Sequence, residues 1–440
     1  MQEGARLFRP DQSGAAMNDN VEHSLLKPER IADDALLDLV QRQTFGYFWA
    51  FAHPKSGMAR DRSGPDGGGS GDLLAVGGTG FAIMAMIVAV ERGWISRAEG
   101  VDRLLDMLGY LAAAEQYNGV FPHYLDGPTG KEVSFWADNA GGDLVETSYL
   151  VQGLLCARQY FCASDPGEKA LRAGIDDLWR KVNWNWHTKG VNVLFWHRNA
   201  TTEKENHHRI EGWNECLITY VLAASSPTFP ISASVYHEGW AKGQQFKNGK
   251  QYFGITLPLG PELGGPLFFA HYSFLGLDPR GLKDRYADYW EQNRRHTLIN
   301  YEHCVRNPQH YLGYGRDCWG LTACDGDRGY FPHAPDQDRG VIAPTAALSS
   351  MPYTPDESMK ALKHFYYDLG SSIWGKYGFA DAFNQTTGWV ASDHLAIDQG
   401  PIVVMIENYR TGLLWRLFMN CPEVLEGLRV LDFAYSPAVA

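Results

Sequence analysis

The stretch Trp136-Ala137-Asp138-Asn139-Ala140-Gly141-Gly142-Asp143-Leu144-Val145-Glu146-Thr147 sets the reading of the chain. It carries three carboxyl groups, and a glycine pair stands before what reads as a helix over 143–162. Asp143 and Glu146 are three apart, so on a helix they share one face. The same pair is also a capping box, with Asp143 at the N-cap and Glu146 three residues on. Gly141-Gly142 would let backbone or a ligand come close. A helix N-terminus favours the ionised carboxylate. Asp143 and Glu146 therefore suit a base or a hydroxyl acceptor better than a proton donor. Asp138 reads equally as a turn residue in Asp-Asn-Ala-Gly.

Outward from this point the helical period dominates. It predicts helices over 34–52, 78–92 and 97–114, the last opened by the capping box Ser96-Arg97-Ala98-Glu99. A further helix starts at Asp165-Pro166, with proline at its first position. Others are predicted over 213–224, 234–244, 282–304, 355–374 and 401–419. Thr354-Pro355-Asp356-Glu357 reads as another capping box. The loops 59–77, 117–141, 183–211, 245–281, 305–353 and 376–400 are long, and loops of such length are usually functional. No βαβ alternation is visible. The pattern predicts an all-α fold of paired helices with a loop-built face, an (α/α) toroid some of whose helices are hidden in the loops. One domain is expected over 31–425, after a polar, flexible extension 1–30 and before a tail 426–440.

A second acid stands at Gly212-Trp213-Asn214-Glu215, ahead of the apolar run 216–222. A carboxyl partly buried among Trp213 and apolar neighbours has a raised pKa, which a general acid needs near neutral pH. Glu215 also reads as a helix-dipole residue, and Glu211 competes for the role. The chain of 440 residues is 13% aromatic, with 14 Trp, 22 Tyr and 21 Phe. Carboxylates among so many flat faces point to sugar chemistry, because a glycosidase needs two carboxyl groups and apolar surfaces for pyranose rings. Trp136, Trp213, Tyr314, Trp319, Tyr353 and Trp389 are the candidate stacking and binding residues, and Asp398 in Asp393–Gly400 is a candidate hydroxyl binder.

Composition removes other classes. The formal net charge is -12 and the seven cysteines form no CxxC. Nucleic-acid binding lacks its basic face, and a uronate substrate is disfavoured for the same reason; a neutral glycan fits. Zinc and thioredoxin-like sites lack their spacing, although Cys318 and Cys324 are near enough in sequence to pair. His207-His208 lacks the helical spacing of a metal site. Gly64–Gly71 lacks the Lys-Ser/Thr of a phosphate loop. No GxSxG or HExxH occurs. No apolar stretch is long enough for a membrane span. Met1 to about Lys27 shows no apolar core of a signal peptide, so the chain as written is expected in the cytoplasm.

Six ordered segments resemble a known family. They are Gly-Gly-Asp-Leu-Val-Glu-Thr (141–147), Gly-Trp-Asn-Glu (212–215), Val-Leu-Ala-Ala-Ser-Ser-Pro-Thr (221–228), Trp-Gly-Leu-Thr-Ala-Cys-Asp (319–325), the run 342–352 and the run 397–410. The chain resembles the bacterial glucoamylase-like glycoside hydrolases, which include endo-β-1,2-glucanases and sophorose-releasing β-1,2-glucan hydrolases. The resemblance implies an (α/α)6 toroid, no cofactor and no catalytic metal. It implies inverting hydrolysis of β-1,2-glucosidic bonds, with endo action expected. It maps the general acid to Glu215 and leaves the base open among Asp138, Asp143 and Glu146, since position 139, where the family tends to carry an acid, is Asn. Periplasmic relatives make that compartment the alternative location. An exo-acting sophorose-releasing hydrolase, a transglycosylase and a non-catalytic glycan-binding protein are the competing readings.

Overall fold

The computed structural model describes residues 29–64, 71–135, 140–199 and 208–436. Thirteen α-helices run through it: α1 (Asp33–Ala50), α2 (Val76–Glu91), α3 (Arg97–Ala113), α4 (Leu144–Tyr160), α5 (Pro166–Lys181), α6 (Leu217–Ser225), α7 (Tyr289–Arg306), α8 (Pro344–Leu348), α9 (Pro355–Lys363), α10 (Gly370–Ile373), α11 (Ala396–Arg410), α12 (Leu413–Met419) and α13 (Pro422–Val430). They form an (α/α)6 toroid. The inner ring is α2, α4, α6, the 3-10 turns Leu267–Ala270 and Tyr272–Leu275, α8 and α11, and α11 closes it by packing on α2. The outer ring is α1, α3, α5, the π and 3-10 turns over Val235–Lys242, α7 and α9. The described strands are short pieces of two or three residues, paired two or three at a time.

Sequence explains which ring each helix joins. α2 reads VGGTGFAIMAMIVAVE and is buried on every side, as an all-apolar helix must be. α5 buries only Glu168, Leu171, Ile175, Leu178 and Trp179, a single stripe. Local caps set several starts. Ser96 and Glu99 form the predicted capping box, and Asp165 caps α5 with Pro166 behind it. Thr354 does not cap α9; its hydroxyl donates to the Ser350 carbonyl and lies 3.2 Å from the Ser358 hydroxyl.

The hidden inner members lie in the loops 245–281 and 305–353. Pro266 and Gly276 confine one to 3-10 turns, and α8 is five residues behind Pro344, too short to show a period. The predicted helix 401–419 is two helices, broken at Gly412 with φ +68°. Residues 426–436, expected in the tail, are folded on the domain: α13 continues to Val430 and packs on α6, and Ala434–Tyr435 pairs with Leu282–Lys283. All seven cysteines are free, Cys318 and Cys324 included. No described helix is long and apolar enough to cross a membrane.

α2 and α4 touch backbone to backbone. A Cβ on Gly80 would overlap the Tyr149 carbonyl, and one on Gly153 would overlap the Gly80 carbonyl. Neither neighbour is a flexible side-chain end, so an added methyl must spread the ring. Gly80→Ala is expected to lower stability by about 3 kcal/mol in urea or thermal unfolding. Gly109→Ala, on the open face of α3 with nothing within 4 Å, is expected to raise it by up to about 1 kcal/mol.

Candidate active site

A cavity of about 410 Å³ opens where the inner helices begin. Gly78 lines it from the first turn of α2, Val145 and Glu146 from that of α4, and Ile397 from that of α11. Glu215 lines it from the turn just before α6. That turn is fixed by Gly212, at φ +80° and packed against the Gln244 carbonyl, and by the Ser273 hydroxyl donating to the Glu215 carbonyl. Helix starts bring unpaired N–H donors and the positive end of the dipole to one place.

The acidic stretch divides on folding. Asp143 is fully buried behind the cavity wall. Its Oδ1 accepts from Val145 N and Glu146 N, both at 3.0 Å, and caps α4. Its Oδ2 accepts from Trp196 Nε1 at 3.3 Å and sits 2.8 Å from His123 Nδ1 and 3.0 Å from His197 Nε2. Asp143 stands opposite His197 in the pairing of Gly142–Asp143 with His197–Arg198. Burial alone would raise its pKa, but His197 and His123 outweigh it and hold the carboxyl well below the usual range.

Glu146 does not complete a capping box. Its Oε2 crosses to α2 and accepts from Gly77 N at 2.8 Å, so a Cβ on Gly77 would strike this carboxylate. Burial pushes Glu146 up to about 7, with His123 pulling down and Asp143 pushing up. Glu215 is also pushed up to about 7, first by burial and then by Glu146 and Asp143. Tyr149, one turn beyond Glu146, faces both glutamates, and its buried hydroxyl has no hydrogen-bond partner among the described residues. A substrate hydroxyl or water would satisfy it.

The opposite wall holds a second acidic group. Arg62 lies 3.2 Å from Asp325, 3.3 Å from Asp393 and 3.4 Å from Asp61. Behind it Asp381 is pushed up to about 7 by burial and Asp325, and Asp398 is raised by burial and Asp381. Tyr272, a lining residue, donates to Asp398 Oδ1 at 3.4 Å. Flat faces frame the mouth. Phe135 and Tyr330 are 57% and 52% exposed and line the cavity, as do Tyr124, Trp196 and Phe268. Large apolar rings left this open beside a cavity fit stacking on a pyranose.

Of the residues singled out from sequence, Glu146 and Glu215 meet at the cavity, Asp143 stands behind it, and Asp398 is buried behind Tyr272. Asp138 and Trp136 lie outside the described residues. The remaining aromatics do not line the cavity. Trp213 is buried against Trp240 and Tyr289. Trp319 is buried against Tyr301 and donates to the Glu357 carbonyl. Tyr353 bonds Ala270 and Asn293 in the core. Tyr314 donates to Asp338, and Trp389 sits in the hairpin of Phe383–Asn384 with Trp389–Val390. These rings are held by packing and offer no face to a sugar in the cavity. Glu211 is on the surface. Sequence reasoning passed over His123, Tyr124, Trp196, Asp61, Arg62 and Tyr330. Their only signal was membership of long loops.

His123, Asp143 and His197 are the one group of described residues with metal-ligand spacing. Their ligand atoms already touch at hydrogen-bond distances, Trp196 donates to the same oxygen, and the other Asp143 oxygen is taken by α4.

The glycoamylase family model matches residues 207–422. The endo-β-1,2-glucanase of Chitinophaga pinensis, solved with sophorotriose and glucose, is 53% identical with a TM-score of 0.90, over 92% of this chain and 99% of that one. The exo β-1,2-glucooligosaccharide sophorohydrolase of Parabacteroides distasonis is 46% identical over 425 residues. That match covers 91% of this chain and 58% of that protein, so the chain spans little more than half of that relative's length. The endo-β-1,2-glucanase of Talaromyces funiculosus, 11% identical with a TM-score of 0.63 over 90% of each chain, shares the fold. The chain belongs to the glucoamylase-like family of glycoside hydrolases.

Proposed function

We propose that this protein hydrolyses β-1,2-glucan within the chain, by general acid and base catalysis with inversion at the anomeric carbon. The observation that carries the reading is the meeting of Glu146 and Glu215 on one cavity, both buried and both pushed up to about 7. A pair that holds one proton near neutral pH offers an acid and a base at once. Glu215, with apolar and acidic neighbours, keeps the proton and delivers it toward the leaving oxygen. Glu146 accepts a proton from the attacking water. Asp143 does not take this role, because it is buried behind the wall and its oxygens are occupied. The choice of β-1,2-glucan is supported by the names of the Chitinophaga and Parabacteroides relatives. Cavity walls rich in carboxylates suit a neutral glycan and would repel a uronate.

The exo-acting, sophorose-releasing reading is favoured by the Parabacteroides relative. Linear β-1,2-glucan given to the wild type and to Glu215→Gln separates the readings. A ladder of oligosaccharides is expected from the wild type, with a loss of about 10²–10⁴-fold in the variant. Sophorose alone would move the reading to exo action. An intact polymer would remove the substrate assignment, and retained anomeric configuration by proton NMR would remove inversion.

The two glutamates also fix the pH profile of kcat/KM. Below their titration both carry protons and the base is lost; above it both are ionised and the acid is lost. A bell centred near pH 7 is expected in initial-rate measurements. An optimum near pH 4 would contradict these assignments.

Glu215 also links activity to stability. Its folded pKa lies above the ordinary value of 4.5, so its contribution to stability is full below about pH 4.5 and is lost as pH rises through 7. A glutamine in its place never ionises. Glu215→Gln is therefore expected to be more stable than wild type at pH 8, by up to about 3 kcal/mol, and nearly equal at pH 4.5. Urea unfolding at the two pH values reads the difference.

A further inference from the structure

Glu146 and Glu215 present the same chemical group to one cavity, yet a hydrolase needs them to act differently. Their surroundings differ. Glu146 accepts the Gly77 N–H at 2.8 Å and lines the cavity together with His123. The charged groups that face Glu215, among the described residues, are Glu146 and Asp143, both acids.

His123 is held in place from behind. Its Nδ1 lies 2.8 Å from Asp143 Oδ2, and Asp143 is itself locked. One of its oxygens caps α4 and the other also takes Trp196 Nε1. The ring therefore cannot turn without breaking a buried carboxylate contact. A buried carboxylate orienting a histidine beside a reacting group is a recurrent device for fixing ring geometry and charge.

We propose that His123, anchored by Asp143, is the positioning residue that makes Glu146 the base of the pair and leaves Glu215 the acid. The proposal rests on the roles given to the two glutamates above. Glu146 acts on His123 from α4, Asp143 from the N-cap before it, and Asp61 from the segment before α2. Burial opposes charge on the ring, but Glu146, Asp143 and Asp61 outweigh it and push His123 up to about 9. The imidazolium then favours an ionised Glu146 against burial and against the charges of Asp143 and Asp61. Without His123, Asp143 and Asp61 still push Glu146 up beside the single Gly77 N–H, and it takes up the proton. Both glutamates then hold their protons near neutral pH, and the pair has no base.

The test has two arms. In the first, imidazole NMR follows His123 through pH 5–10 in the wild type and in Glu146→Gln, with no substrate present. The wild-type ring is expected to titrate near 9, and to fall by roughly one unit or more in Glu146→Gln, which removes one charge. A wild-type His123 titrating at or below 6.5, or unmoved in the variant, would overturn the proposal. In the second arm, the pH profile of kcat is measured for His123→Gln. Its acid limb is expected to move up by about one unit, with kcat at pH 6 reduced tenfold or more and KM little changed. An unmoved limb with a raised KM would make His123 a substrate contact only. Failure of the wild type on β-1,2-glucan would sink the substrate reading, while the first arm would still decide the proposal.

Discussion

Everything at the active end depends on the starts of the inner helices opening into a single cavity. A helix start carries N–H groups with no partner inside the helix, and burial makes leaving them unmet costly. Carboxylates meet them here. Asp143 takes two from α4, and Glu146 takes one from α2. Asp398 sits in the first turn of α11. The helix ends favour negative charge and the dry interior disfavours it. The balance of these two effects, acid by acid, sets the chemistry. Asp143 has helix N–H groups, an indole and two histidines, and stays ionised. Glu146 has one N–H and one imidazole, and burial outweighs them. Glu215 has its own backbone N–H, and burial outweighs it.

The ring that makes this possible is held tight by glycine. Gly80 and Gly153 bring α2 and α4 into backbone contact, and Gly400 of α11 would strike Phe81 if it bore a Cβ. Gly77 has a different task one turn earlier on α2. It leaves room for the Glu146 carboxylate to reach its N–H. One helix thus carries both the contact that closes the ring and the contact that aims an acid. Loosening either would widen the cavity and change the solvation of both glutamates.

The aromatic residues show how composition can mislead about position. Trp213 lies beside the acid Glu215 in sequence, and its ring packs under the site against Trp240 and Tyr289. Trp319 lies in a segment that carries the family resemblance, and it is core. Of the rings that line the cavity, Tyr330, Phe135 and Trp196 stand in loops and Tyr124 in a three-residue strand, none with a period to read. A tryptophan beside a carboxylate in sequence says little about its face, because a turn of one residue reverses its direction.

Much of the scaffold was legible. The long apolar run of α2, the caps at Ser96 and Asp165, and the periodicity of α1, α3, α4 and α5 are local signals, and the structure follows them to within about two residues. The inner members over 267–275 and 344–348 were not legible, since 3-10 turns and a five-residue helix have no period to read. Sequence alone determined that an all-α chain would carry Asp143, Glu146 and Glu215 at or near helix starts, because caps and apolar runs act over a few residues. Only the tertiary structure decided which of these acids faces the cavity and which one is locked behind it. The partners that decide it are Gly77, His123, Trp196 and His197, from separate parts of the chain. The state of a buried carboxyl follows its surroundings in space rather than its neighbours in sequence.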